Sequence, residues 1–340
     1  MKIAATGVTG SVGRRLCEIA RERGDEVVGL VRDPIRLDAK SLQRLGVRIV
    51  AGDVCDARAV AELARGADVL VHAAAAVGDG VESADMHRVN VDGTRTVIEA
   101  TAAAGVRHVV YLSSSAVYGR PDRGRVTEAW PTRVIGMPYE DTKALAERIA
   151  FERGRELGLS VVAVRPPIIY GPYDRNFLPR ALAMLKRRMV VLIDGGRAPL
   201  NLVWVDHVVD VVLAGAARRD LGGEAFNVMD EVEKRPPCVR EVFEAIARAV
   251  DLPLPRIRLS YSTAMALAKA LELGYSAAKS KKTPPLTPFV VKILTRDVIY
   301  DSSKAAAELG FTSRMTSLAG VARFAALLAG VSSPHERFNV

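Results

Sequence analysis

The chain has 340 residues, 49% hydrophobic and 26% charged, a balance that excludes wholesale disorder and allows a sizeable core. Its 48 basic and 39 acidic residues leave a net charge of +9, which favours anionic ligands such as phosphates. The arginines are scattered, with no zinc-finger spacing and no basic arm, so nucleic acid is not an expected partner.

The alternation of elements starts at once. Strands are expected over residues 2–5, 26–31, 47–50, 67–75, 108–114 and 160–166, as short Val/Ile/Leu runs. Helices are expected over 12–23, 57–65, 89–104 and 139–157. Buried strands separated by helices predict an α/β fold, a Rossmann-type doubly wound parallel sheet. After Pro166 the pattern fades: residues 165–179 read as loop, 201–215 as a strand and helix, and 224–228 as a short strand. From about 229 the chain is mostly helical, broken by proline at 281–288. We therefore expect a nucleotide-binding lobe over 1–165, to which 201–228 returns, and a smaller, mostly helical substrate lobe over 166–200 and 229–340. With the first strand expected to start at Lys2, no signal peptide is expected. No apolar run reaches the roughly 18 residues of a spanning helix. Cys17, Cys55 and Cys238 form no close pair or metal knuckle, so a reducing cytoplasm and no metal are expected.

The first strand runs into "TGVTGSVG", Gly7-x-x-Gly10-x-x-Gly13, at the start of a helix. Glycines here permit a tight turn and close approach to a pyrophosphate, which the helix N-terminus then holds. Gly7, Thr9, Gly10, Ser11, Val12 and Gly13 are the candidate contacts. The second strand ends in Arg32 and Asp33. An arginine there accommodates the extra phosphate of NADP, whereas an acid holds the NAD ribose, so NADP(H) is preferred and NAD(H) is the alternative.

Further along come "GDVCD" (52–56), "HAAA" (72–75), "NVDGT" (90–94), "SSSAVYG" (113–119), "YEDTK" (139–143), "RPPIIYGP" (165–172) and "WVDHV" (204–208). In this order and spacing, over roughly residues 1–230, the chain resembles the extended short-chain dehydrogenase/reductase family, also called the NAD-dependent epimerase/dehydratase family. The resemblance implies that Tyr139 is the general acid/base, Lys143 its partner and Ser114 the third catalytic residue. It implies that Asp53 and Val54 hold the adenine, that Ala73, Ala74 and Ala75 line the cofactor, and that Asn90 braces the backbone there. Leu112, Pro166, Ile168 and Ile169 are further implied cofactor contacts, and Val77, Ser115 and Tyr173 implied substrate contacts. Dimerisation through the helices at 89–104 and 139–157 is also implied.

Residues four apart share a helix face, so Lys143 is expected to bring its ammonium to the Tyr139 ring and favour the phenolate. Glu140, Asp141 and Thr142 read as spacers. His72 reads as a buried structural histidine, His207 as a capping or packing group, and Trp204 as core.

Departures from the family narrow the reaction. Ser115 and Ala116 stand where dehydratases of this family carry Asp-Glu. Ile168 stands where its nucleotide-sugar epimerases carry an Asn. "VRPPIIYGP" resembles the 3β-hydroxysteroid dehydrogenase and dihydroflavonol-reductase branches instead. The expected activity is therefore an NADP(H)-dependent oxidoreductase interconverting a secondary alcohol and a ketone on a bulky apolar, sterol- or terpenoid-like substrate. The alternatives are a nucleotide-sugar epimerase and a non-catalytic NADP-sensing regulator. The helix from Tyr261, with Leu267, Ala268 and Leu271 on one side and Lys279, Lys281 and Lys282 at its end, reads either as core cover, as a pocket lid, or as a peripheral contact with an anionic membrane.

Overall fold

The computed structural model describes residues 1–78, 80–232, 234–277 and 286–331. Its strands, in chain order, begin with β1 (Lys2–Thr6), β2 (Glu26–Val31), β3 (Arg48–Ala51), β4 (Val69–His72) and β5 (His108–Leu112). Then follow β6 (Arg123–Val126), β7 (Ser160–Arg165), β8 (Ile168–Tyr170), β9 (Val191–Ile193) and β10 (Leu202–Trp204). The last are β11 (Ala225–Asn227), β12 (Ile257–Leu259) and β13 (Asp297–Tyr300). Seven of them form one parallel sheet in the order β11-β7-β5-β4-β1-β2-β3. The expected doubly wound α/β sheet is therefore observed.

Helices cover both faces of that sheet, which is why its strands are continuous apolar runs. On one face lie α1 (Ser11–Glu22) and, further on, a helix at Val205–Ala216; they pack together over a core including Val8, Leu16, Val110, Val162 and Val208. On the other face α3 (Ala57–Ala64) packs on α5 (Gly93–Ala103), and α5 on α6 (Pro138–Glu156), over Leu30, Leu63, Leu70, Ile98 and Val161. Two short helices escaped the sequence reading, α2 (Leu37–Arg44) and α4 (Ser83–His87). Only two residues of each are buried at most, so neither shows a long apolar stripe.

The stretch expected to be loop, 165–179, contains β8, which pairs in parallel with β10. Three apolar residues between Pro167 and Gly171 are too few to register as a strand, and the flanking Pro and Gly disguise them. The remaining helices are α7 (Leu178–Lys186), α8 (Val205–Ala216), α9 (Val239–Ala249), α10 (Tyr261–Ala277), α11 (Pro288–Ile293), α12 (Ser303–Leu309) and α13 (Ser317–Ala329). A separate core joins α7, α9 and α13 around Tyr170, Leu182, Trp204, Phe243 and Phe324. Helix α10 buries Ala264 and Ala268, so of the side named from the sequence Ala268 faces the core while Leu267 is exposed. Lys279, Lys281 and Lys282 lie outside the described residues. Among those that are described, no helix is long and apolar enough to cross a membrane.

Asp230 fastens this second core to the sheet. Its carboxylate accepts from Trp204 N–H (2.7 Å), His207 Nδ1 (2.8 Å), the Tyr170 hydroxyl (2.8 Å) and Ser317 Oγ (3.0 Å). His207 Nε2 accepts the Arg314 N–H (3.1 Å), so Nδ1 is the nitrogen that carries the proton. Removing the acceptor strands buried donors, each costing about 1–3 kcal/mol. Asp230→Leu is therefore expected to lower stability by at least about 3 kcal/mol. Urea unfolding of the variant checks this; a loss below about 1 kcal/mol would show that the donors find other partners.

Candidate active site

The chain leaves β1 and β4 in opposite directions along the sheet, because β2 lies on one side of β1 and β4 on the other. Ligands of open α/β sheets bind in the crevice at such a switch point. Here the loop after β1 packs directly on the end of β4. A Cβ on Gly7, which has φ +70°, would sit 2.6 Å from the backbone of Ala73 and Ala74, and one on Gly13 would sit 2.2 Å from the Gly7 carbonyl oxygen. Only glycine fits either position.

The crevice consists of two adjoining cavities. One, of about 480 Å³, is lined by Gly7, Thr9, Gly10, Arg32, Asp53, Val54 and Ala73–Ala75, and also by Arg88. Arg88 was missed by the sequence reading. The other, of about 430 Å³, runs from Ser11, Val12 and Gly13 past Leu112 to Ser114, Tyr139, Lys143, Pro166, Ile168 and Ile169. Glycine loop, helix N-terminus and elongated cleft fit a dinucleotide with its adenine end at Asp53 and its reactive end at Tyr139. At the adenine end the Asp33 carboxylate is turned back to the Ile35 N–H (3.0 Å), while Arg32 lines the cavity.

Asn90 does not line the cleft but sits buried behind it, in a π-helical turn (Arg88–Asp92) leading into α5. Its Oδ1 accepts the Ala76 N–H (2.7 Å), and its Nδ2 donates to the Ala76 carbonyl (3.1 Å) and Thr142 Oγ1 (3.1 Å). It thus braces the wall against α6. His72 does the same for Ala74. Thr94 donates to the Asn90 carbonyl (2.6 Å), so it accepts from His72 Nε2–H (3.0 Å). His72 Nδ1 then accepts from the Thr6 hydroxyl (2.7 Å), whose oxygen takes the Ala74 N–H (3.2 Å). Burial, and then the charge of Lys143, push this imidazole down to about 3. It is neutral and structural.

Ser114 and Tyr139 stand together where the cleft meets the end of β5, both lining it. Ser114 accepts the Ala116 N–H (3.2 Å), capping the short turn that follows β5. Burial raises the Tyr139 hydroxyl above its usual value, and the neighbouring Ser114 hydroxyl opposes that. Lys143 is fully buried, but its ammonium is not on the Tyr139 ring. Nζ donates to the Tyr111 hydroxyl (2.9 Å) and the Leu112 carbonyl (2.8 Å) and lies 4.5 Å from the centre of the Tyr111 ring. This corrects the expected stacking: Lys143 turns inward onto β5, where two acceptors meet a buried cation. Tyr111 was missed because a tyrosine within an apolar run reads as core. Burial pushes Lys143 down to about 7, with Glu147 opposing.

The residues read as spacers are all engaged. Glu140 accepts from Arg120 (2.7 and 3.1 Å), Asp141 from the Ile135 N–H (2.7 Å), and Thr142 donates to the Tyr139 carbonyl (3.0 Å).

A third cavity, of about 340 Å³, shares Val77, Ser114, Tyr139, Pro167 and Ile168 with the cleft and adds Ser115, Leu200, Arg296, Val298 and Tyr300. Val77 and Ser115 are thus placed together. Tyr173, expected beside them, lies instead by the loop end of the cleft, its hydroxyl donating to Glu18 (2.6 Å) beneath the Arg14 guanidinium.

The sequence model of the NAD dependent epimerase/dehydratase family matches residues 3–228. The chain belongs to this family. It is 31% identical over 324 residues to a 4-hydroxy-2-methyl-3-oxo-4-farnesyl-3,4-dihydroquinoline-1-oxide ketoreductase of Stigmatella aurantiaca, covering 94% of this chain and 95% of that one. It is 28% identical over 337 residues to a 2-alkyl-3-oxoalkanoate reductase of Stenotrophomonas maltophilia, covering 96% and 99%. Among solved structures, MoeE5 in complex with UDP-glucose and NAD superposes with a TM-score of 0.74 at 26% identity, covering 98% of this chain and 100% of that one. The family expected from the motifs is confirmed, and both curated relatives are named as reductases.

Two outcomes follow from the geometry. Tyr139→Phe is expected to keep cofactor affinity and to lose turnover by about 10²–10⁴-fold, as loss of a positioned acid/base should. Near-normal turnover would remove Tyr139 from that role. Separately, lysine side chains labelled with ¹³C should show one resonance titrating near pH 7, charged below and neutral above, that vanishes in Lys143→Met. Tyr111→Phe, which removes an acceptor that favours the ammonium, should move that titration to lower pH.

Proposed function

We propose that the protein is an NADP(H)-dependent oxidoreductase that interconverts a secondary alcohol and a ketone on a bulky, apolar substrate. The observation that carries this reading is the Ser114–Tyr139 hydroxyl pair, placed where the dinucleotide cleft opens into the third cavity. A nicotinamide bound at that end supplies or accepts the hydride. In the oxidising direction Tyr139, as its phenolate, would take the proton of the substrate hydroxyl as the adjacent C–H bond gives up its hydride; in reduction the Tyr139 phenol would return that proton to the carbonyl oxygen. Ser114 holds the substrate oxygen, and Lys143 sets the local charge from behind Tyr111 and Leu112.

Substrate size and polarity are argued from the wall: Val77, Pro167, Ile168, Leu200 and Val298 give the third cavity an apolar lining. The farnesyl and alkyl groups in the names of the two curated relatives' substrates are of the same character. NADP preference rests on Arg32 at the adenine end with Asp33 turned away. A second reading, a nucleotide-sugar epimerase, draws on the likeness to MoeE5 with its UDP-glucose. Against it stands Ile168, apolar on both cavities.

The deciding assay follows NADPH oxidation with ketosteroids, terpenoid ketones and long-chain 3-oxo compounds beside UDP-sugars under NAD. Turnover of an apolar ketone is expected, and activity confined to UDP-sugars would replace this reading with the second. Arg32→Ala is expected to raise the KM for NADP about tenfold or more relative to that for NAD, the scale of one lost phosphate contact. An unchanged ratio would remove the argument for NADP.

A further inference from the structure

The third cavity has a largely apolar wall that carries two arginines and one carboxylate. Arg120, Glu140 and Arg296 line it. Arg120 is bonded to Glu140 through Nε and Nη2, and that pair cancels. Arg296 remains as the net positive charge of the lining, and its Nε is buried without a hydrogen-bond partner. Burial, and then Arg120, act against its charged form, while Asp122, Tyr300 and Glu140 support it without a hydrogen bond to Nε. A guanidinium stays protonated and cannot escape that cost by releasing a proton, so a buried, unpaired N–H there calls for an acceptor.

Arg296 is also held in place. It directly precedes β13, which pairs with β6. Asn201 clasps the same strand, donating through Nδ2 to the Val298 carbonyl (2.8 Å) and accepting the Tyr300 N–H (3.2 Å) at Oδ1. The Tyr300 ring stacks on Tyr118 at 5.9 Å. The guanidinium is therefore presented from an anchored strand, on the cavity that contains Ser114 and Tyr139.

We propose that Arg296 anchors a carboxylate carried by an otherwise apolar hydroxy or keto substrate. This rests on the hydride-transfer reading above and names the substrate class it takes: a hydroxy acid or keto acid with a long or branched hydrocarbon body. One carboxylate supplies the acceptor that the Arg296 guanidinium lacks at Nε. A nucleoside diphosphate brings two negative charges and a polar base, and the amide on this wall, Asn201, already has both ends engaged by β13.

The test uses protein loaded with NADP(H). Oxidation of 3-hydroxyoctanoate is compared with that of its methyl ester, in wild type and Arg296→Gln. Binding of octanoate, 1-octanol and UDP-glucose is measured by calorimetry on the same proteins. The acid is expected to exceed the ester in kcat/KM by about tenfold or more, the scale of one charge-assisted contact. That ratio should collapse toward one in Arg296→Gln and be partly restored in Arg296→Lys. Octanoate should bind more tightly than octanol in wild type alone. If neither compound is oxidised but octanoate binding still depends on Arg296, the reaction reading fails for these chains and the anchor stands. The anchor is overturned if octanoate binds no better than octanol, if the variant weakens both alike, or if only UDP-glucose binding depends on Arg296.

Discussion

Everything at the ligand edge of the sheet depends on how closely the backbone after β1 lies against the backbone after β4. At Gly7 the separation leaves no room for a Cβ, and at Gly13 the first turn of α1 closes onto Gly7 itself. Loop, wall and helix N-terminus are consequently one packed object. Its second half is polar: Thr6, His72 and Thr94 pass hydrogen bonds from one to the next until Ala74 is fixed, and Asn90 fixes Ala76. A buried histidine is used here because it can accept from one hydroxyl and donate to another across the gap between β1 and α5. Burial keeps it neutral, so the chain of bonds does not change direction over the ordinary pH range.

Two buried ion pairs throw Lys143 into relief. Arg165 meets Glu147 at 2.6–2.9 Å, tying β7 to α6, and Arg15 meets Asp206 at 2.7–2.8 Å, tying α1 to α8. Such pairs specify which elements lie together more than they add net stability, since desolvation consumes most of the attraction. Lys143 has no carboxylate at bonding distance among its hydrogen-bond partners, only a phenol and a carbonyl. Glu147 supports its charge from further away, and burial outweighs that support. A buried cation without a carboxylate at bonding distance is costly for the fold.

The fold was largely legible because parallel strands buried on both faces announce themselves as apolar runs, and a glycine pattern between the first strand and helix has few other uses. The nucleotide wall and the Ser114–Tyr139 pair were legible for the same reason: they sit within a few residues of strand ends or on one helix face. What escaped depended on distant partners. Tyr111 reads as core until Lys143 is seen reaching it. Arg296 lies more than 150 residues beyond Tyr139 in the sequence, and nothing in "LTRDVIY" marks it as facing that tyrosine's cavity. Tyr173 was placed by resemblance, yet its left-handed backbone (φ +66°) sends it toward Arg14 and Glu18.

That division has a physical cause. The proposed proton handling needs groups fixed to a fraction of an ångström, and the candidates stand on rigid elements of the main sheet: β5 carries Tyr111, Ser114 follows its end, and α6 carries both Tyr139 and Lys143. Choosing a substrate needs only a wall of suitable shape and charge. The wall here is assembled from β13, α11 and the residues before β10, which pack on small satellite clusters, one around Val117, Val126 and Val298 and another around Ala264, Ala268 and Val291. Segments with so little buried apolar surface open at lower free energy than the seven-stranded core. Within these segments β13 is still held by its pairing with β6 and by Asn201, so Arg296 stands at an anchored point of that wall, across the cavity's lining from Ser114 and Tyr139.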